Sequence, residues 1–283
     1  MTTDSSSLVS TALQLFGQRI SAGDCEPPLM PSTVRQARSM GQRRRANMLE
    51  IRALVGADPS FAAQLLRLAN SPLFVGRPPC VSLDDALDRI GLSGLQELLL
   101  GAAEAEILVV PGDPGLGDRM QRRALAVAVC SEALAEQLGR DSAEAFTAGL
   151  LHDLGLPLAL GLIHSHRRRL PLNFVASPEL QRALADQIHT VLGEELGRAW
   201  RLPSVLVEVL GQHHDSQSPA GVDSLARLVT GARTITDFME IEPEGLPIPE
   251  DCPALQSLGV SRLQAETVAE VVFARLAGVE VVS

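Results

Sequence analysis

The stretch AGLLHDLGLPLAL (residues 148–160) decides the fold of this chain. It places a histidine and an aspartate, His152 and Asp153, side by side within an otherwise apolar run. A carboxylate in such surroundings is costly unless it is paired, hydrogen-bonded or bound to a cation. The pattern therefore predicts a buried helical segment that carries a polar site, and the question is what neutralises Asp153.

Composition limits the class of protein. The chain has 283 residues, of which 46% are hydrophobic, so it can form one large domain or two small ones. No apolar run approaches the ~20 residues that a membrane span needs, and the N-terminus lacks the pattern of a signal peptide. The four cysteines are far apart in the sequence, which is typical of a reducing compartment. We therefore expect a cytoplasmic protein with no membrane partner.

Charge argues against general nucleic-acid binding. The formal net charge is −10, aromatic residues make up 3% of the chain and tyrosine is absent. General nucleic-acid binders are normally basic and often stack bases on aromatic rings. The chain has two basic clusters, QRRRANM (42–48) and HSHRRR (164–169). Each can be a solvated surface or a binding site for an anion.

The periodic segments all indicate helices, so the predicted fold class is all-α. Asp58 and Pro59 form an N-cap and first-turn signal, and Gly91 splits the segment 81–109 into two short helices. The strongest breaker is PGDPGLG (111–117). It predicts a helical subdomain over residues 1–115 and a second helical subdomain over residues 116–283, which ends in an amphipathic helix.

Five of the six histidines fall on or beside helices that also carry carboxylates. His189 lies on a long predicted helix, and His213 and His214 end the next helix just before Asp215. Histidines and a carboxylate around a divalent metal can make a hydrolytic centre, because the metal lowers the pKa of bound water. The same residues can also serve as a hydrogen-bonded buried pair, a core histidine and helix C-terminal residues.

The order of several motifs resembles a known family. AFTAGLLHDLG (145–155), HTVLGEELGRAWRLP (189–203) and VLGQHH (209–214) are similar to the core of the HDOD domain, a bacterial signalling module related to metal-dependent HD phosphohydrolases. VGADPSFAAQLLRLANSPLF (55–74) and VSLDDALDRIGLSGLQEL (81–98) resemble its N-terminal signature. The resemblance implies an N-terminal helical subdomain packed on a degenerate HD-like helical bundle.

The resemblance also implies a ligand set, and this chain departs from it. A catalytic HD enzyme draws metal ligands from an early histidine, the His-Asp pair and a late aspartate. The early histidine falls at Arg123 and the late aspartate at Arg233, with Asp237 one helical turn away. Arginine has no lone pair for a metal. We therefore expect no metal and no other cofactor. The expected vestigial HD site consists of His152, Asp153, Arg123 and Arg233, in which a guanidinium replaces the metal beside Asp153.

These features predict a function without catalysis. The expected protein is a signalling or adaptor module that contacts another signalling protein, in second-messenger, motility or cell-cycle regulation. One alternative is a metal-dependent HD phosphohydrolase or phosphodiesterase that uses His152, Asp153, His189, His213 and His214, with Asp237 or Asp215 as the late carboxylate. The other is a nucleotide sensor without turnover, whose pocket would be lined by Arg122, Arg123 and Arg233.

Overall fold

In the computed structural model, every element in the part of the chain that can be described is a helix, which confirms the all-α prediction. The structure describes residues 5–23, 25–42, 48–74, 76–105, 108, 113–166, 177–215, 224–241, 248 and 252–277. The helices in chain order are α1 (Ser5–Ser21), α2 (Pro31–Gln42), α3 (Met48–Ala57), α4 (Pro59–Ala69), α5 (Leu83–Glu104), α6 (Leu116–Leu138), α7 (Ser142–Leu151), α8 (Gly155–Ser165), α9 (Pro178–Ala199), α10 (Ser204–Gln212), α11 (Leu225–Ile241), α12 (Pro253–Gln256) and α13 (Arg262–Ala277). A short 3₁₀ turn, Pro72–Phe74, follows α4.

Local signals in the sequence set several of these boundaries as predicted. Asp58 caps α4 by accepting hydrogen bonds from the backbone N–H groups of Ser60 and Phe61, with Pro59 in the first turn. Gly91 has φ of 66° and kinks α5, and Gly139 ends α6 in the left-handed region. The cap at Asp58 and the break at Gly91 confirm the predictions made from the sequence.

The segment around His152 and Asp153 differs from the expectation that both residues lie on one helix. His152 is the C-cap of α7, and Asp153 lies in the turn before α8. Pro157 has no N–H to donate to the Asp153 carbonyl, and the Leu156 N–H donates to that carbonyl instead, at 2.8 Å. The helix therefore breaks at the polar pair, and the break turns Asp153 toward α9 and α10.

Two hydrophobic clusters hold the helices together. The larger cluster takes side chains from α1 through α11, including the fully buried Phe16, Phe61 and Leu150. The smaller cluster joins one side of α6 and α11 to α12 and α13. Helix α1 packs on α9, and α2 packs on α5. The division of the chain at residues 115/116 stays a prediction.

Two glycines allow the closest helix contacts. A Cβ on Gly149 would lie 2.8 Å from the Val127 carbonyl oxygen of α6, and a Cβ on Gly155 would lie 1.9 Å from the His189 carbonyl oxygen of α9. Any side chain would push these backbones apart. These glycines flank the His-Asp pair and hold it against α6 and α9.

The most apolar part of the chain lies inside the protein. The stretch Ser142–Ser165 is long and apolar enough to cross a membrane by composition, but 83% of it is buried among the other helices. That burial is typical of core helices, and α7 and α8 fill this role here. The four cysteines are buried and none of them forms a disulfide, and Trp200 and Leu192 are also buried in the core.

Candidate metal centre

The turn between α7 and α8 faces three histidines from two other helical segments. Asp153 Oδ1 lies 3.1 Å from His213 Nε2 and 3.5 Å from His189 Nε2. His189 Nε2 lies 3.4 Å from His213 Nε2 and 3.0 Å from His214 Nε2. The four ligand atoms of Asp153, His189, His213 and His214 all lie within 4.8 Å of one another. The fold thus brings together four residues that are up to 61 positions apart in the sequence.

Backbone carbonyls fix the orientation of the rings. His189 Nδ1 lies 2.7 Å from the Asp186 carbonyl oxygen, and His213 Nδ1 lies 3.0 Å from the Val209 carbonyl oxygen. A carbonyl accepts only, so each Nδ1 carries the proton and donates. In the neutral ring Nε2 then presents a lone pair, and both lone pairs are directed at Asp153. This carbonyl-to-imidazole arrangement is the usual support of a metal-bound histidine.

The electrostatics favour neutral imidazoles around an ionised carboxylate. Burial lowers the pKa of His213 below its usual value, although the Asp153 carboxylate opposes this effect because it stabilises the protonated ring. Partial desolvation of the exposed His214, together with His213 and Arg233, lowers its pKa to about 3. Burial raises the pKa of Asp153, but hydrogen bonds and positive charge from the protonated forms of His152 and His213 lower it well below its usual range. The ligand atoms of His213, His214 and Asp153 are therefore unprotonated near neutral pH.

His152 faces the other oxygen of the carboxylate. Its Nε2 lies 3.1 Å from Asp153 Oδ2, and its Nδ1 lies 2.7 Å from the Gly149 carbonyl oxygen. The ring is buried, and Nε2 has no hydrogen-bond partner among the described residues. All five residues that the hydrolase alternative requires are therefore adjacent, and His152 lies outside the four-atom cluster.

These donors fit a metal ion. Acceptor atoms that face one another at about 3 Å repel unless a cation or proton lies between them. A tetrahedral ion with ligand bonds of about 2.0–2.1 Å sets its ligands roughly 3.3 Å apart. Four of the six separations between the ligand atoms lie between 3.0 and 3.5 Å, close to that value, and all six lie within 4.8 Å. Asp153, His189, His213 and His214 could therefore hold one divalent transition metal.

The hypothesis that a guanidinium replaces the metal beside Asp153 is wrong. Among the described residues, the ion pairs and hydrogen bonds of the Asp153 side chain are with histidines. Arg123 instead forms a short ion pair with Asp237 Oδ1. Arg233 lies 3.9 Å from Asp237 Oδ2, four residues away on the same helix. Arg123 and Arg233 thus share Asp237, the carboxylate that the sequence analysis offers as an alternative metal ligand.

The remaining predicted site residues are dispersed. Arg122 is exposed on α6, and Asp215 follows the His213–His214 pair at the surface. The arginines of both basic clusters lie outside the described residues, which exclude 43–47 and 167–176. The sequence reading missed the role of Asp237 as an arginine partner. The signal that could have found it is the spacing of four residues between Arg233 and Asp237 on one helix.

Comparison with known proteins agrees with this architecture. A model of the HDOD domain matches residues 28–216. An uncharacterized protein of Treponema pallidum (strain Nichols) is 25% identical over 252 residues, which cover 84% of this chain and 47% of that protein. Ribonuclease Y of Mycoplasma mycoides is 25% identical over 185 residues, which cover 59% of this chain and 38% of that protein. The chain thus spans less than half the length of these two relatives.

A solved structure shows the same fold. The MmoQ response regulator of Methylococcus capsulatus str. Bath superposes with a TM-score of 0.64 at 23% identity, and the match covers 86% of this chain and 98% of that one. The helix order, the His-Asp turn and the matched family model together identify the chain as a member of the HDOD family.

Proposed function

We propose that this protein is a signalling module that binds one divalent transition metal as a structural element and acts through contact with another protein, without turning over a substrate. The observation that carries the proposal is the number of protein donors around Asp153. Four protein ligands fill a tetrahedral shell, as in structural zinc sites, whereas catalytic sites keep one position for water or substrate. The MmoQ protein that shares the fold is a response regulator.

The arginine pair on α6 and α11 supports the same conclusion. In the catalytic HD pattern, these helices supply the early histidine and the late aspartate. Here Arg123 and Arg233 occupy those positions, and Asp237 is engaged by both guanidiniums. A second metal ion would meet two fixed positive charges at this place. The site therefore has ligands for one ion only.

A structural metal would tie three segments of the bundle together. Asp153 comes from the α7–α8 turn, His189 from α9, and His213 and His214 from the end of α10. Bridging these segments rigidifies the face of the bundle that they form. A rigid face is what a protein-binding module needs, since a preformed surface loses less conformational entropy on binding.

The test is metal analysis of protein purified without chelator. We expect about one metal ion per chain, lost in Asp153→Ala and in His213→Gln. His164→Gln is the matched control, because His164 lies at the end of α8 and outside the cluster. A native chain without metal, or a control that loses it, would contradict the structural site.

The second candidate function is that of a metal-dependent hydrolase, and an activity assay tests it. One observation favours this function: His214 is the exposed member of the cluster, so its dissociation from the metal would open a coordination position. We expect no hydrolysis of phosphomonoesters or phosphodiesters by the metal-loaded protein. Turnover that Asp153→Ala abolishes would overturn the non-catalytic function and leave the metal site in place.

Partner contact is tested in cells. After crosslinking in the source organism, we expect a protein that copurifies with this chain in constant stoichiometry. Recovery of the chain without any such protein, under conditions where the metal site is occupied, would contradict the adaptor role.

A further inference from the structure

A polar cavity lies at the end of α4, away from the His/Asp cluster. It has a volume of about 360 Å³ and is bounded by the 3₁₀ turn Pro72–Phe74, the start of the loop that follows it, and the link from α9 to α10. Three of its lining residues are arginines, namely Arg77, Arg89 and Arg201, and none is acidic. Such a concentration of positive charge is unusual in a chain with a net charge of −10.

Two of these arginines lack protein counter-charges. Arg77 and Arg201 are exposed, and neither side chain makes an ion pair or hydrogen bond with a residue that the structure describes. By contrast, Arg67 on the neighbouring face of α4 pairs with Glu26 and stacks over Trp200. The cavity therefore leaves two guanidiniums available to an external anion.

The third arginine is held in place by the cavity wall. Arg89 donates from Nη1 to the Ala69 carbonyl oxygen at 3.2 Å and from Nη2 to the Pro78 carbonyl oxygen at 2.7 Å. These bonds use two of the five N–H groups of a guanidinium. Neither bond neutralises the charge, because both acceptors are uncharged carbonyls.

The Asn-Ser pair of the LRLANSPLF motif builds the floor. Asn70 Nδ2 donates to the Leu66 and Cys80 carbonyl oxygens, both at 3.0 Å, and its Oδ1 accepts from the Cys80 N–H at 2.9 Å. The amide thus ties the backbone of Cys80 to the end of α4. Ser71 Oγ, in the same lining, is buried and has no hydrogen-bond partner among the described residues.

The backbone at Arg201 places its side chain at the rim. Arg201 has φ of 56°, a left-handed conformation that favours glycine, directly after the C-terminus of α9. The Leu202 N–H donates to the Gly197 carbonyl oxygen at 2.9 Å, which closes the helix end around it. Glycine would suit this position sterically, but it would remove the charge.

We propose that this cavity binds the phosphate group of a small ligand of about mononucleotide size. Guanidinium groups recognise phosphate oxygens through paired N–H donors. Phe74 offers an apolar ring beside the cationic wall. The volume lies at the small end of the range of about 300–1,000 Å³ that ligand pockets occupy. This proposal is independent of the metal centre.

The experiment measures binding by calorimetry with five probes: pyrophosphate, AMP, GMP and the two matching nucleosides, adenosine and guanosine. We expect the phosphate-bearing probes to bind and the nucleosides not to bind. The expected affinity also falls with added salt, because the contact is between charges. Binding of AMP or GMP but not of pyrophosphate indicates a nucleotide as the source of the phosphate, and equal binding of all three indicates the free anion. Both results support the site.

Two double variants distinguish binding at this cavity from nonspecific attraction to arginines elsewhere on the protein surface. Arg77→Gln with Arg201→Gln is expected to weaken binding at least tenfold. The matched control is Arg182→Gln with Arg262→Gln, which removes the same charge from two exposed i,i+4 ion pairs elsewhere. Equal weakening by both double variants, or no binding of any phosphate probe at about 1 mM, a level that detects even weak complexes, would overturn the proposal.

A single substitution adds a readout that separates folding from binding. Arg201→Gly removes the charge and also relieves the left-handed backbone, so the melting temperature should stay the same or rise while phosphate binding falls. Retained binding in this variant would overturn the role of Arg201. Metal content should be unchanged in all of these variants, because none of them touches the His/Asp cluster.

Discussion

Two buried aspartates in this protein have opposite surroundings. Asp58 is fully buried and accepts hydrogen bonds from three backbone N–H groups, those of Met30, Ser60 and Phe61. Asp153 is less buried and faces the Nε2 atoms of His189 and His213, whose Nδ1 atoms donate to backbone carbonyls. The first carboxylate is satisfied by the fold alone, whereas the second is surrounded by acceptors and needs a cation.

The contrast explains why burial alone does not identify a functional carboxylate. Burial raises the pKa of Asp58, and its backbone hydrogen bonds offset this only in part. The pKa of Asp153 lies well below the usual range, because the histidines outweigh the effect of burial. The chemical type of the neighbours therefore distinguishes a structural cap from a ligand, and four substitutions test that distinction.

The largest effect is expected at the structural carboxylate. Asp58→Ala removes the cap of α4 and leaves the N–H groups of Met30, Ser60 and Phe61 without an acceptor. We expect a loss of roughly 3–5 kcal/mol in the free energy of unfolding, from a lost cap and several unsatisfied buried donors. Urea denaturation measures it.

The matched control for this position is Asp58→Asn. Its amide oxygen still accepts from Ser60 and Phe61, but its NH₂ group faces the Met30 N–H, so the loss should be smaller than for alanine. Equal losses in the two variants would show that the hydrogen bonds are not what makes Asp58 structural.

At the ligand carboxylate, the effect should depend on metal. At metal concentrations about 100-fold above the dissociation constant, binding stabilises the native state by about 2.7 kcal/mol. A chelator should therefore lower the melting temperature of the native protein. In Asp153→Ala, the chelator should have no effect, and the metal-free variant should be as stable as the metal-free native protein. If Asp153→Ala is less stable than the native protein in the absence of metal, Asp153 stabilises the fold by itself, as Asp58 does.

The glycine next to Asp153 tests whether the backbone holds the site. Gly155→Ala places a methyl group 1.9 Å from the His189 carbonyl oxygen. We expect a loss of about 1–3 kcal/mol from overpacking, together with weaker metal binding. Gly101→Ala is the control, because a Cβ there has nothing within 4 Å. This variant should be stabilised by roughly 0.5–1 kcal/mol, since Gly101 lies in a helix. Thermal denaturation should show a lower melting temperature for Gly155→Ala and a higher one for Gly101→Ala. Changes of the same sign in both variants would contradict the close-contact explanation.

The smallest effect is expected at a third carboxylate, the arginine-bound Asp237. Arg123→Gln removes one of its two partners, and both side chains are partly exposed. We expect a loss of at most about 1 kcal/mol, the usual limit for such pairs. Metal stoichiometry should stay at one ion per chain. A second ion in this variant would show that Asp237 is a ligand that the arginines had blocked.

The parts of this structure that follow from short-range chemistry were predictable. Asp58 with Pro59, the kink at Gly91 and the helix end at Gly139 each depend on residues within one or two turns. Asp153 was also predicted to need a neutralising partner, because an apolar run around a carboxylate is visible in the sequence.

The partners of Asp153 could not be predicted in the same way. Their identity depends on how α9 and α10 pack against the α7–α8 turn, and that packing depends on the glycine contact at His189. Arginine positions inferred from a family pattern gave the wrong partner, because the competing Asp237 lies one turn from Arg233. Arg77 and Arg201 were not singled out, since they are distant in sequence and meet only in the fold.

The contact between α1 and the end of α8 has a consequence for synthesis of the chain. Phe16 is fully buried with its ring 5.8 Å from that of His166, and Arg19 contacts His166, which lies 147 positions later in the sequence. A ribosome that adds about 5–20 residues per second needs roughly 7–30 s to cover that distance. During this time the first helix has no partner for its apolar face. Helix α1 is thus synthesised well before the segment that covers it, and its apolar face is buried late.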